Sequence, residues 1–179
     1  MNLNDFLELC ERRQSCRGFT GQAIEHEKLE NCIKAARLAP SACNSQPWSF
    51  IVVETPEKVA QVAKCSQQMG INQYTSKASA FFIVLEEHAK LMPQLRCMLD
   101  SQYFAKGDLG AATVYLCLEA ESQGLGTCIL GLFDREGLCR ALDLPESQRF
   151  ASLIAVGHKE DPVVREKNRK PLDSIVRYY

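Results

Sequence analysis

Two groups of basic residues, one near each end of the chain, could together bind an anion. They lie in the stretches "RRQSCRGF" and "REKNRK", and their members are Arg12, Arg13, Arg17, Lys167, Arg169 and Lys170. Arginine side chains bind phosphate through paired hydrogen bonds, and the hydroxyl of Ser15 would add a further donor. A mononucleotide phosphate would suit such a site. The alternative is that each group is separately a favourable helix end or an exposed charged run.

The stretch "APSACNSQPW", residues 39–48, is a second candidate. Two prolines bracket small polar residues, and the only tryptophan of the chain closes the stretch. It follows a helical pattern and runs directly into the apolar segment "SFIVVE". A plain connector would not need Ser41, Asn44, Gln46 and Trp48 together, which marks this turn as a candidate binding element.

The glycine-rich stretch "GLGTCILG" suggests a nucleotide-binding loop but does not match one. A dinucleotide fingerprint needs a third glycine where Ile129 stands, and its glycines follow a strand, whereas these precede one. No Gly-Lys-Ser/Thr follows, so a P-loop is excluded as well. Two interpretations remain: a helix stop at Gly124 before a strand, or a close approach of the backbone to a flat ligand.

The sequence lacks the residue patterns of metal sites and of hydrolase active sites. The nine cysteines are scattered without a Cys-x-x-Cys pair, and the three histidines lie far apart, so no metal or iron–sulfur site is predicted. We interpret most cysteines as small core residues in a reducing compartment. No Gly-x-Ser-x-Gly elbow is present, so a hydrolase is disfavoured.

Length and charge limit the possible partners. A chain of 179 residues fits one domain, and a net charge of −1 does not indicate nucleic acid or a membrane surface. No apolar run approaches the roughly 18 residues that a membrane helix needs. The N-terminus does not resemble a secretory signal, so a cytoplasmic location is expected.

Hydrophobic periodicity predicts the elements that must position these candidates. Strands are predicted over 49–54, 79–86, 126–133 and 150–158. Helices are predicted over 3–13, 25–38, after Thr55–Pro56, over 109–122 with Asp108 as its cap, and after a capping Asp134. The strands are apolar throughout, which predicts a single α+β or mixed α/β domain whose four-stranded sheet is covered on both faces. Residues 87–107 have no clear assignment.

The final "SIVRYY" is apolar, although chain ends are usually polar and frayed. Either it packs on its own domain, which composition favours, or it crosses to a partner subunit.

Several of these stretches together resemble the FMN-dependent nitroreductase family. They are "RRQSCRGF", "LAPSACNSQPWSFIVV", "AESQGLGTCILGLFD" and "ASLIAVGHKE" with "REKNRKPLD", in the family's order and over nearly the whole chain. The resemblance implies a short, single-domain member over residues 1–179. It further implies an intertwined homodimer with a swapped C-terminal strand, in which residues of about 160–179 cross to the partner. The resemblance thus favours a tail that crosses to a partner subunit, whereas composition favoured a tail packed on its own domain.

The resemblance also implies a cofactor site. Arg13 and Ser15 match ligands of the FMN phosphate and ribityl chain, Arg17 matches a cation near the pyrimidine side of the flavin, and Lys167 and Arg169 match C-terminal phosphate ligands. The family's usual motif reads Arg-Arg-Ser, whereas here Gln14 separates Arg13 from Ser15, and we count Gln14 among the cofactor-binding residues. Arg12 is either spare or shares the phosphate.

The turn and the glycine-rich stretch receive roles as well. Pro40, Ser41 and Asn44 match a turn that lines the flavin from the other subunit, while Gln46 orders the turn and Trp48 anchors it in the core. The backbone of Ile129, Leu130 and Gly131 matches a segment beside the flavin ring, with the Gly131 N–H near the flavin N5. No catalytic side chain is expected. Residues 66–104, where the family places its substrate pocket, match poorly; Asn72 is a weak candidate for a flavin contact, and no large lid is expected.

The function implied is that of an FMN-dependent NAD(P)H oxidoreductase. NADH or NADPH would donate hydride, and a nitroaromatic, a quinone or a similar electrophile would accept it in a ping-pong cycle. Two alternatives remain open: a flavin-binding carrier or sensor without efficient turnover, and a specialised flavin-consuming or dehalogenating enzyme.

Overall fold

One antiparallel sheet forms the centre of the computed structural model, which describes residues 3–96, 100 and 102–179. Its strands are β1 Trp48–Val53, β2 Ala80–Glu86, β3 Leu125–Leu130 and β4 Phe150–His158, in the order β1-β2-β4-β3. The mixed α/β class and the four strands predicted from the sequence are confirmed. The third strand is shorter than predicted, because it leaves the ladder with β4 after Leu130.

Within the described part of the chain, six helices surround the sheet: α1 Leu3–Arg12, α2 His26–Ala36, α3 Pro56–Ser66, α4 Pro93–Arg96, α5 Ala105–Ser122 and α6 Arg135–Ala141. Short 3-10 turns lie at Ala42–Asn44, Gln68–Gly70, Gln73–Lys77 and Leu172–Ser174. The stretch without an assignment, 87–107, contains α4 and the start of α5.

Both faces of the sheet are covered, as predicted. On one face α3 and α6 pack over Phe81 and Leu153, and on the other face α2 and α5 pack over Phe82 and Ile154. Successive residues of a strand point to opposite faces, so a strand between two helical layers must be apolar throughout. This explains the uninterrupted apolar sequence of β2, in which Phe81 and Phe82 are both fully buried.

The long helix α5 begins earlier than predicted, and its expected cap is wrong. The helix starts at Ala105, so Asp108 lies in its first turn. The carboxylate of Asp108 accepts the backbone N–H of Ala42, with both oxygens 3.2 Å from the nitrogen. A tertiary partner therefore uses the carboxylate that the sequence pattern assigned to the helix end.

The other helix signals are mostly confirmed. Asp134 caps α6, accepting the Gly137 N–H at 2.9 Å, and Gly124 follows α5 with a φ of 80°. Thr55 stands at the N-cap of α3 ahead of Pro56, but its hydroxyl makes no capping hydrogen bond.

The cysteines are largely core residues, as interpreted. Of the eight that the structure describes, five are buried: Cys16, Cys32, Cys117, Cys128 and Cys139. Burial raises the pKa of Cys32 to about 12, so it is a neutral thiol at physiological pH. Cys43 is exposed, and Cys97 lies outside the described residues.

The chain is extended beyond β4. Residues 162–171 have no regular structure and are almost all exposed, and the last residues, Tyr178 and Tyr179, are fully accessible. The crossing of this tail to a partner, and the swapped strand, stay predictions.

Candidate functional site

The segment after α1 lies along the outer edge of the sheet. β3 is the last strand of the sheet order, so one of its edges is open. Ser15 pairs with Thr127 in an isolated parallel bridge, and the N–H of Cys16 donates to the Thr127 carbonyl at 2.8 Å. Gly126 permits this approach, because a Cβ there would lie 2.7 Å from Cys16 Sγ.

Basic residues from both ends of the chain meet beside this segment. They line a cavity of about 370 Å³, together with Gln14, Ser15, Glu166 and Asn168. The cations are Arg13, Arg17, Arg165, Lys167 and Arg169. Lys167 Nζ donates to the carbonyl of Arg13 at 3.0 Å, which joins the two groups directly. We call these five cations with Ser15 the basic cradle.

The charge of the basic cradle is suited to an anion. Partial desolvation, and then the positive charges of Arg13 and Arg169, lower the pKa of Lys167. Like charges held this close disfavour one another, and an anion between them would relieve the repulsion. A phosphate group, with several acceptor oxygens and up to two negative charges, is chemically complementary to such a set of donors.

Arg165 belongs to the basic cradle, although its sequence position did not identify it as a candidate. Its Nη2 donates to the Ser15 carbonyl at 2.6 Å, and its Nε donates to Gln14 Oε1 at 3.0 Å. The basic run "REKNRK" was the available signal, but a run does not indicate which of its members face inward.

Arg12 is directed away from the basic cradle. Its guanidinium lies 3.6 Å from a carboxylate oxygen of Glu121 and 3.7 Å from one of Glu8. Glu121 is buried and also binds Lys159 at 2.6 Å. Of the two roles left open for Arg12, the structure favours the structural one, because a buried carboxylate requires cationic partners.

The open edge of β3 continues towards Gly131. The Thr127 carbonyl faces this edge, since it accepts the bond from Cys16. Backbone groups of residues two apart in a strand point in the same direction. The N–H groups of Ile129 and, just past the strand end, Gly131 are therefore expected to face the same side. Gly131 has open space around it, whereas Gly126 is packed against Cys16.

The turn at residues 40–46 has an unusual backbone. Cys43, Asn44 and Gln46 have φ angles of 54°, 50° and 49°, in the left-handed region that non-glycine residues rarely adopt. Side chains hold it: Ser41 Oγ accepts the Gln46 N–H at 2.9 Å, and Gln46 Nε2 donates to Asn44. The expected ordering role of Gln46 agrees with these bonds. Backbone strain of this kind is typical of functional sites.

Within one chain, this turn and the basic cradle lie far apart. The turn is bound to Asp108 near the start of α5, whereas Glu121 near the end of α5 binds Arg12 and Lys159 beside the basic cradle. Thirteen helical residues span about 20 Å. The structure therefore brings Arg13, Ser15, Arg17, Lys167 and Arg169 together but does not bring Pro40, Ser41 and Asn44 to them. Trp48 is buried at the start of β1, as expected of a core anchor.

A polar network lies beside β3 on the side of α3. Tyr74 donates its hydroxyl to Asn72 Oδ1 at 3.1 Å and lies 3.2 Å from Cys128 Sγ. Burial and the contact with Cys128 raise the pKa of Tyr74, so the phenol stays protonated. The amide of Asn72 also donates to the Ser66 carbonyl at 3.1 Å. The weak candidate Asn72 is thus engaged within the chain.

Among the residues that the structure describes, no group of three histidine, cysteine, aspartate or glutamate side chains is placed to hold a metal ion. None of the described helices has both the length and the apolar character needed to cross a membrane.

Comparison with protein families gives one match that covers most of the chain. The model of the nitroreductase family matches residues 10–158. A protein of Archaeoglobus fulgidus, named as a candidate NADH dehydrogenase/NAD(P)H nitroreductase, is 32% identical over 163 residues, covering 89% of this chain and 88% of its own. An iodotyrosine deiodinase of Haliscomenobacter hydrossis is 23% identical over 98% of this chain and 89% of its own.

The fold has close counterparts among solved structures. One from Exiguobacterium sibiricum, described as a candidate nitroreductase in complex with FMN, superposes with a TM-score of 0.82. It is 22% identical and covers 100% of this chain and 99% of its own. At that identity the likeness shows a shared fold.

Proposed function

Because the chain belongs to the nitroreductase family, we propose that it is an FMN-dependent NAD(P)H oxidoreductase. Bound FMN would supply the redox chemistry, taking a hydride from NADH or NADPH and passing electrons to a nitroaromatic, a quinone or a similar electrophile. The protein's part is to bind, orient and polarise. We also propose a cytoplasmic location.

The basic cradle is the observation that carries this proposal. Its cations and the Ser15 hydroxyl match the donor set that a phosphate monoester needs. Arg13, Ser15, Lys167 and Arg169 would hold the phosphate and the adjoining ribityl chain, and Arg17 would lie towards the ring.

The open edge of β3 supports a place for the flavin ring. It leads from the basic cradle along Ile129 and Leu130 to Gly131, whose surroundings are open. A backbone N–H at Gly131 would orient and polarise the reactive part of the ring without a catalytic side chain. The residues present thus fit FMN at both its phosphate and its ring.

The turn at residues 40–46 would complete the site from a second copy of the chain. Within one chain it lies about 20 Å along α5 from the basic cradle, so Pro40, Ser41 and Asn44 of a second subunit would contact the ligand there. Its strained backbone supports a binding role. A homodimer with sites shared between subunits is therefore part of the proposal.

The anion-site proposal is tested by removing its arginines singly. Arg13→Ala and Arg169→Ala should each weaken FMN binding about 10- to 100-fold, since a charge-assisted hydrogen bond contributes about 1.5–3 kcal/mol. Arg140→Ala, on the exposed face of α6, is the control and should leave the Kd unchanged. Full flavin occupancy in both cradle variants would refute the assignment.

Dehalogenation is the second candidate, and the similarity to iodotyrosine deiodinase favours it. It would use the same bound FMN with a halogenated phenol as the acceptor. Release of iodide from iodotyrosine under reducing conditions, measured beside reduction of a nitroaromatic and a quinone, would separate the two activities.

A further inference from the structure

Gln14 links the N-terminal segment to the C-terminal tail through its side chain. Its Nε2 donates to the Val163 carbonyl at 2.8 Å. Its Oε1 accepts from Arg165 twice, from the backbone N–H at 3.2 Å and from Nε at 3.0 Å. Arg165 in turn donates from Nη2 to the carbonyl of Ser15 at 2.6 Å. These four hydrogen bonds form a clamp, which we name the Gln14–Arg165 clamp.

The tail needs an anchor of this kind. Residues 162–171 have no regular structure and are exposed except for the half-buried Lys167. Lys167 and Arg169 lie on this segment, and one further bond, from Lys167 Nζ to the Arg13 carbonyl, holds it to the body of the chain. Ordering a free backbone costs conformational entropy, so an unanchored tail would lose part of its binding free energy when it orders on a ligand. A tail already held in place would bind more tightly.

We propose that Gln14 and Arg165 are positioning residues, whose clamp holds the tail so that Lys167 and Arg169 face the cofactor phosphate. This rests on the proposed FMN function, and it gives Gln14 a role different from that of a phosphate ligand. The side-chain amide of Gln14 is occupied by the tail at both its oxygen and its nitrogen. A glutamine can do this because it carries a donor and an acceptor on one planar group, which arginine does not.

Arg165 could alternatively act by charge alone, since it lines the same cavity as the other cations. A positioning role requires the planar shape of the guanidinium group, whereas a role through charge does not. Its Nε and Nη2 bind two separate acceptors, Gln14 Oε1 and the Ser15 carbonyl, as the planar guanidinium fork allows. A lysine would keep the charge but could not reproduce this arrangement.

The experiment combines two readouts on Gln14→Ala, Arg165→Ala and Arg165→Lys. The first is hydrogen–deuterium exchange of residues 163–169 in the flavin-free protein, which needs no cofactor. The second is the Kd for FMN. Gln22→Ala, an exposed glutamine outside the cradle, is the matched control.

We expect faster exchange in the tail and a Kd about tenfold higher for all three variants, the loss expected for one or two hydrogen bonds. Gln22→Ala should change neither. Unchanged exchange in Gln14→Ala would overturn the clamp, and faster exchange with an unchanged Kd would overturn its positioning role. A wild-type Kd in Arg165→Lys would show that Arg165 acts by charge. If the wild-type protein binds no FMN, the proposed function fails, whereas the exchange data still decide whether the clamp exists.

Discussion

At the residue scale, Lys167 of the basic cradle should make the proposed FMN binding depend on pH. The pKa of Lys167 is lowered by partial desolvation and by Arg13 and Arg169. A bound phosphate would favour the charged ammonium and raise that pKa again. FMN should therefore bind best while Lys167 is protonated in the free protein, and affinity should fall as pH rises through its lowered pKa.

Lys167→Arg isolates this effect, because arginine stays charged throughout the accessible pH range. The Kd for FMN, measured from neutral to alkaline pH by flavin fluorescence, should rise with pH in the wild type and less in the variant. The ratio of the two curves removes any titration of the flavin itself. Parallel curves would show that Lys167 does not contact the phosphate.

Individual residue roles were only partly predictable from the sequence. The types and spacing of Arg13, Ser15 and Lys167 indicated an anion site, and the structure brings them together. Adjacent Arg12 has a different role because it binds the buried Glu121, a partner 109 residues away. Arg165 was missed for the same reason, since its partners lie at the other end of the chain.

At the element scale, the position of the N-terminal segment depends on Gly126. A Cβ at Gly126 would lie 2.7 Å from Cys16 Sγ and 2.9 Å from Lys159 Cγ. Gly126→Ala should force residues 13–17 off the edge of β3, lower stability by about 1–3 kcal/mol and weaken FMN binding without removing any cation.

Gly107→Ala is the matched control for Gly126→Ala. Gly107 lies within α5 with open space at its Cβ position, so alanine should raise stability by up to about 1 kcal/mol. Thermal unfolding and FMN titration of both variants provide the comparison. An unchanged Kd in Gly126→Ala would contradict the dependence of the cradle on this packing.

Substitution of Asp108 tests whether its carboxylate stabilises the strained turn at residues 40–46. Asp108→Ala removes the acceptor of the Ala42 N–H and should lower stability by about 1–3 kcal/mol. Asp108→Asn keeps one acceptor oxygen and should be milder. The Tm of each variant measures the effect. Equal Tm values for Asp108→Ala and the wild type would show that the turn does not need the hydrogen bond to Asp108 for its stability.

The positions of most elements could be predicted, but some of their ends could not. Continuous apolar runs located the strands, because burial on both faces makes every strand position apolar. Period-3.6 patterns located the long helices. The start of α5 and the end of β3 depend on tertiary contacts: Asp108 binds Ala42, and the ladder with β4 ends at Leu130. These contact partners are distant in the sequence, so the residues around each element end do not reveal them.

At the scale of the whole molecule, the proposed dimer accounts for apolar surface around α5. Val114 and Ile129 are 49% and 42% exposed and line a cavity of about 550 Å³, with Leu109 and Phe150. A second copy would cover this surface and bring its own turn to the basic cradle.

Val114→Asp tests this by placing a charge in the cavity. The variant should sediment as a monomer, or as a mixture, at concentrations where the wild type is a dimer, and should lose FMN affinity. Ala60→Asp, on the exposed face of α3, is the control and should behave as the wild type. A wild-type protein that is monomeric with full FMN affinity would contradict the shared site.

The most direct test of the central claim is the absorbance spectrum of the purified protein, incubated with FMN, desalted, and then mixed with NADH or NADPH without air. A flavin-dependent oxidoreductase should retain the flavin bands after desalting, and one or both nicotinamides should bleach them. Retained bands that neither nicotinamide bleaches would contradict the enzyme assignment and favour a carrier or sensor. A spectrum without flavin bands would contradict the cofactor assignment itself.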